Sequence, residues 1–310
     1  MITRCVNLCE MDLTAQGPLA SLALGASASS PDGVEALVRR IAAEAGWPDC
    51  ARLYLGSSFC GNAFLRNTES SIVQAVQAFS EAFGVPCTLT VPSVSQGELP
   101  AVKRRIDRLL EKFSCFDEVT VNDYGMLGWA AERGGATLNI GRLFSKDLRD
   151  LRYEEGFPRT YRPAFLGRWL DELQTMYPML DGIELDPCGS EVDLTEAPVE
   201  VTPALHDPYL FVTTGAFCPY APVTAQGLPA RAGSPCAQQC ESAVTTYRVE
   251  SATPAGADAD GRGVGEVFYT KHGKTVFMMN EAAPVQSRVP YRVIRAPRHF
   301  GWLLSVEEAR

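Results

Sequence analysis

Apolar residues along the chain follow two alternating periods. Short β-rich runs include Arg52-Leu-Tyr-Leu-Gly56, Cys87-Thr-Leu-Thr-Val91, Glu118-Val-Thr-Val-Asn122 and Gly182-Ile-Glu-Leu-Asp186. Between them, apolar residues recur every three or four positions, the period of a helix with one buried face. Val34, Leu37, Val38 and Ile41 form one such face behind a Ser29-Ser30-Pro31-Asp32 start signal. Ile72, Val73, Val76 and Phe79 form a second, which Thr68 opens, and Val102, Ile106, Leu109 and Leu110 form a third. Tyr124 to Arg133 reads as a short helix, and Phe165, Trp169, Leu170 and Leu173 as another. The runs Leu19 to Gly25, Ala136 to Ile140, Val199 to Val201 and Tyr209 to Thr213 bring the strand count to eight.

Strand, helix, strand in repetition implies parallel pairing through right-handed crossovers, and eight such strands imply a (β/α)8 barrel of the TIM type. The last two connections are too short for full crossover helices, so the expected barrel is degenerate there. A doubly wound open sheet is the other way to arrange such units, and its Gly-x-Gly-x-x-Gly turn is absent. The pattern divides the chain into an extension over residues 1–18, a barrel core over 19–214, and a closing part over 215–310. That last part begins with a Pro/Gly/Ala/Ser-rich cysteine-bearing loop over 215–242 and contains an excursion over 252–263. A small C-terminal β hairpin follows, Val267 to Thr270 and Thr275 to Met279, turning at His272-Gly-Lys. The basic run from Arg292 to His299 reads as a solvated strand edge.

Composition narrows the class. Of 310 residues, 46% are hydrophobic and 21% charged, the balance of a folded chain with a full core. The formal net charge of −9 argues against a nucleic-acid groove or an anionic-membrane patch. It favours a small-molecule or protein partner. The run from Leu19 to Ala28 resembles a signal peptide, but Glu10 and Asp12 stand where a basic flank belongs. Gln16, Gly17 and Pro18 disqualify the region as a membrane span. A cytoplasmic protein is therefore expected, in which clustered cysteines serve metals or catalysis rather than disulfides.

There are ten cysteines. Cys218, Cys236 and Cys240 stand in the loop-like segment, which offers no core for them to fill. Thiolates bind iron–sulfur clusters or zinc, and a four-iron cluster usually takes four. Cys60 is the natural fourth, because it follows the second strand and Cys218 follows the eighth. In a barrel both loops open on the C-terminal face. Cys188, just past the sixth strand, is the reserve ligand. Zinc is the alternative: Cys5 and Cys9 repeat the spacing of Cys236 and Cys240, and two such pairs make a tetrahedral site. Cys50, Cys87 and Cys115 read as small buried hydrophobes.

Other chemistry is thinly marked. Asp123, Asn139, Arg142 and Lys146 sit at the mouths of strands four and five, where Arg142 or Lys146 suits an anionic substrate. Arg149 extends that basic lining. The bland reading of the same run is helix capping by Asp123 and a solvated loop. His206, His272 and His299 read as surface or turn residues. There is no Gly-x-Ser-x-Gly elbow, His-Glu-x-x-His or P-loop, and Cys236-Ala-Gln-Gln-Cys240 lacks the third cysteine of a radical-SAM site.

These residues resemble the collagenase-like peptidase family, and within it the UbiU and UbiV branch. Tyr54-Leu-Gly-Ser-Ser-Phe-Cys60, Val121-Asn-Asp-Tyr-Gly-Met-Leu127, Gly141-Arg-Leu-Phe-Ser-Lys146 and Pro235-Cys236-Ala-Gln-Gln-Cys240 carry the likeness, with Phe268 to Asn280 as the closing hairpin. The resemblance runs from about Leu19 to Pro297 and leaves Cys5 and Cys9 outside. It implies a barrel and a [4Fe-4S] cluster on Cys60, Cys218, Cys236 and Cys240. It also implies oxygen-independent hydroxylation of a small molecule, such as a quinone precursor, by a chain paired with a homologous UbiU-like subunit. The Cys218–Cys236 gap and the 252–263 excursion are longer than the group's pattern. A peptidase-like hydrolase with structural cysteines and a noncatalytic metal-bound scaffold are the competing readings.

Overall fold

A computed structural model describes residues 1–9, 11, 13, 29–145, 160–163, 166–188, 191–215, 218–220, 236, 239–241, 244–249, 267–279 and 283–297. Strands are numbered in chain order: β1 Ile2–Asn7, β2 Arg52–Gly56, β3 Cys87–Val91, β4 Phe116–Val121, β5 Thr137–Ile140, β6 Thr160–Tyr161 and β7 Leu180–Leu185. Then come β8 Glu191–Leu194, β9 Thr202–Asp207, β10 Tyr209–Thr214, β11 Val244–Val249, β12 Val267–His272, β13 Thr275–Met279, β14 Val285–Ser287 and β15 Tyr291–Arg295. The helices are α1 Pro31–Glu44, α2 Gly61–Asn67, α3 Ser70–Phe83, α4 Leu99–Lys112, α5 Tyr124–Arg133 and α6 Arg168–Met176.

Eight parallel strands, β1, β2, β3, β4, β5, β7, β9 and β15, close into a barrel of the TIM type. Helices fill the early crossovers for local reasons. The Ser30 hydroxyl accepts the Gly33 N–H at 3.2 Å with Pro31 starting α1, and Asp123 accepts the Met126 N–H at 2.7 Å to start α5. Their apolar faces join the outward residues of the strands, Leu53, Leu55, Leu89, Val91, Val119, Val121, Ile183 and Leu185, in one core. An antiparallel sheet in the order β10-β13-β12-β11 is inserted between β9 and β15, and β6, β8 and β14 make a small third sheet. Among the described residues no helix is long and apolar enough to cross a membrane.

Three strand assignments differ from the sequence reading. The run from Leu19 to Gly25 lies outside the described residues, and the first barrel strand is Ile2–Asn7, within the stretch read as an extension. The strand expected at Val199 to Val201 begins three residues later as β9, which takes Pro203 into the barrel. Tyr209–Thr214 pairs with β13 instead of closing the barrel. The eighth barrel strand is β15, set between β1 and β9. The barrel therefore draws on both ends of the chain, not on residues 19–214 alone. The basic C-terminal run is not a solvated edge, because Arg292 and Arg295 are paired inside the protein with Glu118 and Asp207. Helix α2 was not foreseen, and Thr68 ends it instead of opening α3.

Alternation along the strands gives the barrel an unusual interior. TIM interiors are dominated by bulky branched residues. Here the inward positions carry Tyr54, Thr88, Thr90, Glu118, Thr120, Asn139, Glu184, His206 and Arg292. Toward the N-terminal end, Arg292 donates to both oxygens of Glu118 at 2.7 and 2.8 Å, and Thr88 donates to the same carboxylate at 2.6 Å. Arg292 also donates to the Tyr54 hydroxyl at 3.3 Å.

Candidate functional site

The loop after β2 is held by its neighbours. Gly56 has φ +125°, and a Cβ there would stand 2.2 Å from the Thr90 carbonyl oxygen, so only glycine fits. The Ser57 hydroxyl then accepts N–H bonds from Phe59 and Cys60 at 3.3 and 3.2 Å. The Asn67 amide donates at 3.0 Å to the Gly56 carbonyl and at 3.0 Å to that of Cys9, joining the loops after β2 and β1.

These constraints place Cys60 at the start of α2. Desolvation pushes its thiol up, while N–H bonds from Ala63 and Asn62 and the nearby Lys274 charge pull it back. Cys236 lies within electrostatic reach of it. Cys240 packs on the turn between β12 and β13, where a Cβ on Gly273 would lie 3.6 Å from the Cys240 Cβ. Cys218 follows β10, whose end is tied to that turn by the Gly215 N–H donating to the Lys274 carbonyl at 2.8 Å. Cys240 thus packs on the Gly273–Lys274 turn, Cys60 feels the charges of Lys274 and Cys236, and Cys218 stands three residues past Gly215, where β10 is tied to the same turn. Among the described residues no three Cys, His, Asp or Glu side chains are drawn close enough to hold a metal ion. No disulfide joins the cysteines. The donor set, with N–H groups aimed at a thiolate sulfur and a cation beside it, suits an iron–sulfur ligand.

The floor of this site is Phe59. Its ring lies 5.0 Å from Phe211 of β10 and 5.4 Å from Phe277 of β13, which seats the antiparallel sheet over the loop after β2. The Arg142 guanidinium stands 5.4 Å from the same ring centroid. Arg142, expected to hold an anionic substrate, is 2% exposed and spends its guanidinium on partners within the protein. Its Nε donates to Asp186 at 3.1 and 3.0 Å and its Nη2 to the Tyr209 carbonyl at 2.6 Å. A buried guanidinium must be paired, and this pairing locks the barrel to β10.

Asp123 caps α5 and accepts the Val94 N–H at 2.9 Å, in keeping with its structural reading. Asn122 beside it bridges three strands: its amide donates to Val91 at 2.9 Å and its oxygen accepts the Leu143 N–H at 3.1 Å. Asn139 lies inside the barrel. Lys146 and Arg149 lie outside the described residues, as do the 252–263 excursion and His299. Cys188 is buried in the apolar core, and Cys5 and Cys9 lie within a second cluster with Tyr54, Ala204 and Ile294. Burial pushes the Cys5 thiol up to about 12, which opposes its use as a thiolate ligand. Cys87 and Cys115 are buried together as expected, with a thiol–thiol hydrogen bond holding Cys87 well above its ordinary value, whereas Cys50 is half-buried.

His206 contradicts its reading as a surface or turn residue. It is 4% exposed and its Nε2 lies 2.8 Å from Glu184 Oε2. Glu184, Asp186 and His206 were missed by the sequence reading. Their signal was alternation, Ile183-Glu-Leu-Asp and Leu205-His, which places acids and a base on the inward side of buried strands. At the N-terminal end of the barrel strands, a cleft of about 770 Å³ is lined by Thr137, Asp171, Gln174, Leu180 and Asp181. Compared with family models, curated proteins and solved structures, the chain gives no match.

Proposed function

We propose that this chain is a cytoplasmic [4Fe-4S] protein of the UbiU/UbiV-like type, with Cys60, Cys218, Cys236 and Cys240 as ligands. Its activity is oxygen-independent hydroxylation of a small molecule, carried out as one subunit of a pair with a homologous chain. The observation that carries this reading is the placement of Cys60. Its sulfur accepts two backbone N–H groups and lies within electrostatic reach of Cys236 and of Lys274, whose turn Cys240 packs against. Such a cluster, when bound, supplies one-electron transfer or activation of an oxygen donor.

The chain's own residues serve that site in definite ways. The N–H groups of Asn62 and Ala63 and the Lys274 cation offset thiolate charge. Phe59, Phe211 and Phe277 keep water from beneath it, and the Arg142–Asp186 pair holds Phe59 and β10 in register. The motifs Tyr54 to Cys60 and Pro235 to Cys240 support the hydroxylase branch over the peptidase one. So does the setting of His206: a general base sealed inside the barrel and bonded to Glu184 does not reach a peptide.

Anaerobic purification tests the reading. The protein should be brown, with absorbance near roughly 400 nm, as thiolate-bound iron–sulfur clusters show. Cys236→Ser should lose the iron while the far-ultraviolet circular dichroism is kept. Iron retained in that variant would move the ligand set elsewhere, and peptide turnover by metal-free protein would favour the hydrolase.

A further inference from the structure

Large apolar side chains left in water gather on one arc of the barrel. Four of the nine exposed among the described residues are Ile2, Met176, Met179 and Val199, at 53%, 62%, 40% and 80% exposure. Ile2 opens β1, Met176 ends α6, Met179 stands just before β7, and Val199 three residues before β9. All four lie at the N-terminal ends of the barrel strands. The strands concerned are neighbours, since β7, β9, β15 and β1 follow one another around the barrel, with β5 next to β7. Neighbouring strands stand about 4.8 Å apart, so these five ends span about 20 Å, room for the core of a standard interface of about 800 Å² per partner. Barrels of this type place their sites at the other end of the strands, so the arc is separate from the face that bears Cys60. Large apolar side chains exposed together mark an interaction surface.

The charges of the arc point to its occupant. Toward β5 and β7, Asp171, Asp181 and Glu200 line the N-terminal cleft together with Met179. On the other side of Val199, Arg288 is exposed three residues before β15, the strand between β9 and β1. Glu196, two residues past β8, is also exposed. An acidic cleft and a base thus flank an apolar centre. A surface that docks on a copy of itself must be self-complementary, because a two-fold axis sets each side of it against the opposite side of the other copy. A half-turn about Val199 does this here. It carries Arg288 of one copy toward the acidic cleft of the other, and Ile2 toward Met176 and Met179. Methionine side chains, unbranched and adaptable, suit such a contact.

We propose that this arc docks a second copy of the chain about a two-fold axis at Val199, with Arg288 of each copy entering the cleft lined by Asp171, Asp181 and Glu200 of the other. The inference goes beyond the iron–sulfur reading and does not depend on it. It leaves the C-terminal face, with Cys60, open to substrate and to the homologous subunit. Val199 is the apolar centre of the contact, and the two Arg288–cleft pairs fix its register.

Sedimentation equilibrium of the full, anaerobically purified chain across the micromolar range tests this. The wild type should reach twice the chain's mass, and Val199→Glu should remain a monomer. Asp181→Arg and Arg288→Asp should each raise the dissociation constant by about tenfold or more, since each sets like charges against one another. Combined in one chain, the two reversals should restore most of the lost affinity. All four positions at issue are exposed or half-buried, so far-ultraviolet circular dichroism should be unchanged in every variant. A wild type that stays monomeric overturns the proposal, as does a dimer that survives Val199→Glu. Failure of the double reversal to recover affinity overturns the seating of Arg288 in the cleft. A monomer that instead pairs one-to-one with a homologous chain, and loses it in Val199→Glu, assigns the arc to that chain and overturns the second copy. Iron content, measured on the same samples, reports on the cluster reading separately.

Discussion

Glu118 shows what single residues contribute to this barrel. Burial pushes its carboxyl up, but the hydrogen bonds and charge of Arg292, joined by Arg52 and Thr88, hold it below the ordinary carboxylate value. A buried pair broken on one side costs about 3–5 kcal/mol, because the other charge stays behind in low dielectric. Glu118→Gln should therefore lower unfolding free energy by about that amount in a guanidinium titration, with Arg292→Met less harmful when combined with it than alone. The pH dependence has a definite sign. The Glu118 contribution is complete above the unfolded carboxylate value of about 4.3 and is lost as pH falls through the lower folded value. His206 is depressed as a base: below about pH 6.5 the unfolded chain takes a proton that the folded chain refuses, so stability falls as pH drops. Denaturation midpoints at about pH 8 and 5.5 should show this loss in the wild type, and His206→Gln should remove it.

At the scale of elements, short polar bonds decide how strands and loops meet. Asn122 fastens the ends of β3 and β4 to the segment after β5, and Gly141 leaves room for it, since a Cβ there would stand 2.4 Å from Asn122 Oδ1. Losing both bonds and leaving buried groups unsatisfied costs about 1–3 kcal/mol for each. Asn122→Ala should thus destabilise the protein by a few kcal/mol without changing its secondary structure. Gly56→Ala should disturb the site more than the fold, because the clash with Thr90 displaces the loop bearing Cys60. Reduced iron occupancy in an otherwise folded Gly56→Ala protein checks this. The run from Asn122 to Leu143 was legible as polar, but the sequence alone did not separate a latch from a substrate site. Only the register of β3, β4 and β5 brings Asn122 to Val91 and Leu143, and buries Arg142 on Asp186.

For the whole molecule, repeated strand–helix patterning made the barrel legible, and five of its strands, β2, β3, β4, β5 and β7, stood where the pattern put them. Closure was not legible. Ile2–Asn7 and Tyr291–Arg295 carry arginines, so each looks like a surface strand until the two pair and place Arg292 against Glu118. The more apolar run from Leu19 to Gly25 drew attention away from them. Of the cysteines expected on one barrel face, Cys60 does follow a barrel strand, whereas Cys218 follows β10, which pairs with β13 in the inserted sheet instead of closing the barrel. The polar interior was visible only as alternation inside strands, which parallel-sheet reasoning expects to be apolar on both faces.

The central claim, a cluster on Cys60, Cys218, Cys236 and Cys240, is tested most directly by counting metal in the anaerobically purified full chain. The account predicts about four iron and about four sulfide per chain, as a [4Fe-4S] cluster requires. Stoichiometric zinc without iron or sulfide would contradict it.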